Sequence, residues 1–100
     1  MTAAIDLTTL KTEHGPAFRN SGWVGKKQNL FTVSAGIDAA DALNTASDLL
    51  DAAMTPIFDA GMGEPLEGNQ AWLAHHAIES AKAVIDSVRQ AMEAKMADSA

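Results

Sequence analysis

The residue types best suited to chemistry cluster at His75-His76-Ala77-Ile78-Glu79. On a helix, His75 and Glu79 stand four apart and His76 and Glu79 three apart, so an imidazole and a carboxylate can share a face. Helical bundles build metal centres from Glu-x-x-His pairs on facing helices. Here the order of acid and imidazole is reversed, and the first helix offers only Asp48 or Asp51, which fall on its outer side. A metal centre on His75, His76 and Glu79 therefore needs ligands from a second subunit. It stands as the alternative to a plainer arrangement, a partly solvated histidine pair with Glu79 as its polar partner.

Other chemistries find less support. The chain has no cysteine, which removes thiolate catalysis and disulfides. Ser34, Ser47, Ser80 and Ser87 sit in no nucleophile elbow. Ser80 lies four residues from His76, but a helical hydroxyl usually bonds backward to the main chain. Gly22-Trp23-Val24-Gly25-Lys26-Lys27 resembles a phosphate loop only superficially. Asn20 stands where the first glycine belongs, and Lys27 where a hydroxyl residue belongs. No catalytic residue and no cofactor is assigned, and an enzyme is not expected.

The elements that must position these residues are two helices. Leu43, Ala46, Leu50, Ala53, Ile57 and Ala60 recur at steps of three and four, the spacing of one helical face. This helix is expected over 39–60. Asp38 is placed as its N-cap through its carboxylate, and Gly61 as its left-handed terminator. Pro56 lacks the N–H that would reach the carbonyl of Ala52. It either ends the helix near Met54 or kinks it. The kink keeps Ile57 and Ala60 in register and is the reading adopted. Glycines and a proline across residues 61–68 make a short turn, so the second helix, expected over 70–97, returns antiparallel. Its stripe is Ala71, Ala74, Ile78, Ala81, Ile85, Val88 and Met92, widened to a core-facing band by Ala77, Val84 and Ala91, opposite a charged face of Glu79, Lys82, Asp86, Arg89 and Glu93.

In front of the helices, Leu30 to Val33 reads as a short strand. A lone strand leaves its backbone groups unmet. It must pair with the N-terminal arm, residues 1–28, or with the same strand of a second subunit, or lie along the helices. Trp23 and Phe31 are the aromatic candidates for docking this region on the body or on a neighbouring subunit. The domain is thus a hairpin over 29–97, with the strand at 30–33.

Both stripes alternate large residues with alanine, which lets two backbones approach closely. Leu49, Phe58, Trp72, Leu73 and Val84 are then left at the flanks. A chain of 100 residues with 5% aromatics has a small core, and small folds often gain stability by oligomerising. The expected fold is an all-α antiparallel two-helix hairpin with a short N-terminal strand or extended arm, paired as a dimeric four-helix bundle.

The net charge is -6. That argues against nucleic-acid binding and against anionic membranes. No apolar run approaches the ~20 residues of a membrane span, and no secretory signal opens the chain, so a cytoplasmic location is expected. From Gln28 to Ala81 there is no Lys or Arg, while Asp38, Asp41, Asp48, Asp51, Asp59, Glu64, Glu67 and Glu79 fall in that span. Any partner recognised through Asp41, Asp48 and Asp51 should be basic. That opens a further alternative, an acidic inhibitor or nucleic-acid mimic directed at a basic protein.

Leu30-Phe31-Thr32-Val33, Gly36-Ile37, the run from Ala42 to Leu50, Ala71-Trp72 with His76, and the run from Ala81 to Asp86 together resemble a known family. It comprises short bacterial proteins known only as a domain of unknown function. Their shared pattern is an LFxV–G–ALxxASxLL block followed by a helix with AKAxID. The resemblance covers residues 30–88 and implies a helical hairpin and a Gram-negative source. It implies no activity. Pro56 and the arm before Asn29 depart from that pattern, which suggests an arm particular to this protein. The function expected is that of a small non-enzymatic interaction or regulatory protein acting as a homodimer.

Overall fold

The computed structural model describes residues 6, 8–15, 17–21 and 28–99, with side chains described at 6, 8–15, 17 and 31–98. Trp23, Lys26 and Lys27 lie outside the described residues. Four elements follow in order: β1 (Ala17–Ser21), β2 (Gln28–Thr32), α1 (Ala39–Gly61) and α2 (Gly68–Ser99). The fold is an antiparallel helical hairpin with a small two-stranded ribbon before it.

The strand expected at 30–33 finds its partner in the arm. β1 and β2 pair antiparallel, with Ala17 opposite Thr32 and Ser21 opposite Gln28. The pairing continues beyond the ribbon in the same register, with Lys11 opposite Asp38. The Gly15 amide donates to the Val33 carbonyl at 2.8 Å, and the Thr12 amide to the Ile37 carbonyl at 2.8 Å. Gly15 and Gly36 each bend this ladder with φ near +85°, a region open to glycine (φ 85 and 86).

The ladder ends by capping α1. The Ala39 amide, one of the free donors of the first turn, donates to the Leu10 carbonyl at 2.8 Å. This corrects the expected cap. Asp38 stands at the N-cap position, but its carboxylate makes no cap hydrogen bond. It is drawn instead to the Lys11 ammonium across the ladder. The other end of α1 also differs. Gly61 is still helical, and Gly63 takes the left-handed conformation (φ 105). The Gly63 amide donates to the Ala60 carbonyl at 3.1 Å and the Glu64 amide to the Asp59 carbonyl at 3.0 Å, the paired bonds of a Schellman turn. α2 opens with Gln70, whose side chain accepts from the Glu67 amide at 3.1 Å, one arm of a capping box. α1 runs through Pro56 without ending there.

The seam between the helices is alanine. Buried residues of α1 are Ala39, Ala42, Ala46 and Ala53, and Leu49, Pro56 and Ala60 continue the same three-four spacing half-buried. From α2 come Ala74, Ala77, Ala81, Val88 and Ala91, with Val84 half-buried among them. Ala53 packs with Ala74 and Ala77, and Ala39 and Ala42 with Val88 and Ala91, so the helices run antiparallel in one register. The expected seam keeps Ala46, Ala53 and Ala60 of α1 and Ala74, Ala81 and Val88 of α2, but not its leucines and isoleucines. Leu43, Leu50 and Ile57 do not alternate with alanine across the contact but stand beside it, as do Ile78 and Ile85. A row of methyl groups on both sides permits the closest approach, and larger side chains are turned to the flank.

Two ties hold the arm to the helices. Leu10, 1% exposed, packs on Ala39, Ala42, Val88 and Ala91. The buried Ser87 hydroxyl donates to the Glu13 carbonyl at 2.7 Å. Thr12, also buried, donates to the Ser34 carbonyl at 2.7 Å and accepts from the Ile37 amide at 3.0 Å. The charged face of α2 forms the pairs its spacing suggests, Lys82 with Asp86 at 2.7 Å and Arg89 with Glu93 at 2.8 Å. The Lys82 hydrogen bond holds the Asp86 carboxyl below the ordinary carboxylate pKa, against a smaller opposing push from burial.

Two outcomes test this packing. Ala81 is fully buried in the seam. Ala81→Leu should force the helices apart and cost about 1–3 kcal/mol, read as a lower urea midpoint; a midpoint equal to wild type would contradict the close seam. Because Asp86 is lowered in the folded state, its contribution is complete above the ordinary carboxylate pKa of about 4. It is lost as pH falls through the lowered folded value. Thermal melts from pH 6 to pH 2 should show a shallower acid decline for Asp86→Asn than for wild type, and identical profiles would remove Asp86 from the acid limb.

Candidate interaction surface

Among the described residues, the ladder of residues 10–15 and 33–39, with the ribbon beyond it, closes one flank of the hairpin and leaves the other open. On the closed flank Ser87 and Ala83 are buried, and the Phe31 ring rests against His76, ring centroids 5.4 Å apart. The open flank follows from helix geometry. Leu43, Leu50 and Ile57 each come one residue after a seam position of α1, and Ile78 and Ile85 one residue after a seam position of α2. In an antiparallel pair, a step of about 100° from the seam on each helix leads to the same side. These five large aliphatic residues therefore form one stripe along the hairpin, with heptad spacing on each helix. Their exposures run from 37% at Leu50 to 48% at Ile57.

The overall dimensions agree with an uncovered face. The chain measures 53 × 37 × 19 Å, with a radius of gyration of 16.6 Å, whereas a compact domain of this length has about 13 Å. Its accessible surface is 7109 Å². A compact monomer of the same 10.5 kDa mass exposes about 5,400 Å², roughly 1,700 Å² less.

Within one chain, His75, His76 and Glu79 do not group as three ligands. Neighbouring residues on a helix diverge by about 100°, and the two rings leave in different directions. His75 is exposed and meets Trp72 edge-on, ring centroids 5.9 Å apart, while His76 lies half-buried beneath Phe31. Glu79 is half-buried on the same helix. Among the described residues, no three His, Asp or Glu side chains are grouped as a metal ion requires. The Ser80 hydroxyl donates to the His76 carbonyl at 2.7 Å, the backward bond expected of a helical serine, and so does not address an imidazole.

Asp41, Asp48 and Asp51 are all exposed on α1. Asp41 and Asp48 each precede a stripe leucine by two residues, which turns them about 160° away from it. Asp51 lies at its rim. Of the aromatic candidates, Phe31 is on β2 against α2 and Trp23 is outside the described residues. The open stripe itself was missed as a separate surface. Its signal was present in the sequence, since Ala39, Ala42, Ala46 and Ala53 carry the three-four period one phase earlier than the leucines do. Among the described residues, no helix is long and apolar enough to cross a membrane.

No curated protein and no solved structure gives a significant match to this chain. A family model does match, described as a protein of unknown function (DUF3077), over residues 17–91. The match begins at β1, so the ribbon belongs to the shared pattern and the arm is not particular to this chain from Ala17 onward. With the ribbon, α1, most of α2 and both sequence blocks inside the matched span, the chain belongs to the DUF3077 family.

Proposed function

We propose that this protein is a small, non-enzymatic interaction or regulatory protein whose working form is a homodimer in the cytoplasm. One observation carries the reading: the contact between the helices is nearly all alanine, while Leu43, Leu50, Ile57, Ile78 and Ile85 stand outside it. Alanine buries little apolar area, so the seam yields little free energy per residue. The larger yield lies in covering the outer stripe, and a second hairpin is the cover a small helical fold most readily finds. The acids of α1 support a role in recognising a third party. Asp41 and Asp48 point away from the stripe, so a dimer formed there would leave them free to receive a basic segment of another protein.

Sedimentation equilibrium at micromolar concentration should return twice the 10.5 kDa chain mass. A single monomeric species under those conditions would overturn the proposal.

A further inference from the structure

Resting on that homodimer, we infer where and how the two copies meet: stripe to stripe across a two-fold axis parallel to the helices, with α1 of one subunit over α2 of the other. The closed flank is excluded as the contact because the ladder and ribbon already occupy it. The open stripe is self-complementary along its length. Leu43 stands level with Ile85, and Leu50 with Ile78, as the packing of Ala42 on Val88 and of Ala53 on Ala77 requires. A two-fold axis parallel to the helices keeps these levels, so Leu50 of one copy meets Ile78 of the partner subunit and the reverse contact forms with it.

Charge selects this arrangement over the one that stacks α1 on α1. Helix α1 carries Asp41, Asp48, Asp51 and Asp59 and no basic residue, whereas α2 carries Lys82, Arg89 and Lys95 among its acids. Stacking α1 on its own copy brings the two rim acids at Asp51 together, while Asp41 and Asp48 stay turned away from the contact. Crossing it onto α2 brings the rim acid Asp51 toward the side of the pair that holds Lys82 and Arg89. Each crossing would be antiparallel, so all four helices run opposite to their neighbours.

The absence of cysteine allows a direct test. Leu50 and Ile78 are each only partly covered within the hairpin, so cysteine fits at either. Chains with Leu50→Cys and chains with Ile78→Cys are mixed, allowed to exchange, and oxidised. The expected product is a covalent dimer joining position 50 of one chain to position 78 of the other, in excess over 50–50 and 78–78 products. A predominance of 50–50 links would overturn the crossing of α1 on α2. Failure of any of these links while the wild type sediments as a dimer would overturn the choice of face and leave the homodimer standing. In parallel, Leu50→Glu with Ile78→Glu should lose the dimer in sedimentation while retaining helical circular dichroism; a folded variant that stays dimeric counts against the stripe. Wild-type monomer would instead sink the homodimer itself, and this interface with it.

Discussion

Close approach of two backbones over a row of alanines is the constraint on which the rest of this structure depends. Ala42, Ala46 and Ala53 on one helix and Ala74, Ala77 and Ala81 on the other leave little room between the helices, and only Leu49, Val84 and Val88 add bulk to the seam. Most larger side chains go elsewhere. Leu10 comes from the arm to fill one end, and it is the one large apolar side chain among the described residues that is almost wholly enclosed. The leucines and isoleucines of the helices are displaced to a flank. The molecule is therefore a slab 19 Å thick, one layer of helices with a partial second layer, and lacks the deep interior of a bundle.

That slab is held in order by the arm. The ladder from Leu10 to Ser21 against Gln28 to Ala39 does three things at once. It satisfies the strand's backbone groups, it caps the first turn of α1 through the Leu10 carbonyl, and it seals the flank over Ser87 and Ala83. Capping by backbone also frees the Asp38 carboxylate to pair with Lys11. The asymmetry between the two flanks is a consequence of this ladder. The same two helices without it would expose both sides, and no single face could be singled out for a partner.

Most of this architecture is legible in the sequence, and the errors have physical causes. Two helices and their short turn follow from period and punctuation. The phase of the seam does not. Alanine is compatible with a buried face and with an exposed one, so the periodic reading takes Leu43, Leu50 and Ile57 together with Ala46, Ala53 and Ala60 and passes over Ala39 and Ala42. β1 was hidden because Ala17-Phe18-Arg19-Asn20-Ser21 has little β-branched content; its partner, not its propensity, makes it a strand. Gly61 and Gly63 are equally able to end a helix, and the choice of Gly63 rests on which carbonyls the following amides reach. Asp38 failed as a side-chain cap because a lysine 27 residues away competes for it, a long-range contact that no local motif contains.

Two serines and two histidines of α2 take part in structural contacts. Ser80 and Ser87 give their hydroxyl protons to main-chain carbonyls, and His75 and His76 lie against Trp72 and Phe31. What the hairpin has left are surfaces. One is apolar, on the flank the ladder does not reach. The other is acidic, on the outer side of α1, about 160° around the helix from it at Asp41 and Asp48. Because these two lie on different sides of one helix, occupying the first does not hide the second. A pairing of hairpins across the apolar flank would double the acidic surface and fix its two halves at a set spacing. A lone hairpin could offer neither that spacing nor two-fold symmetry to a basic partner.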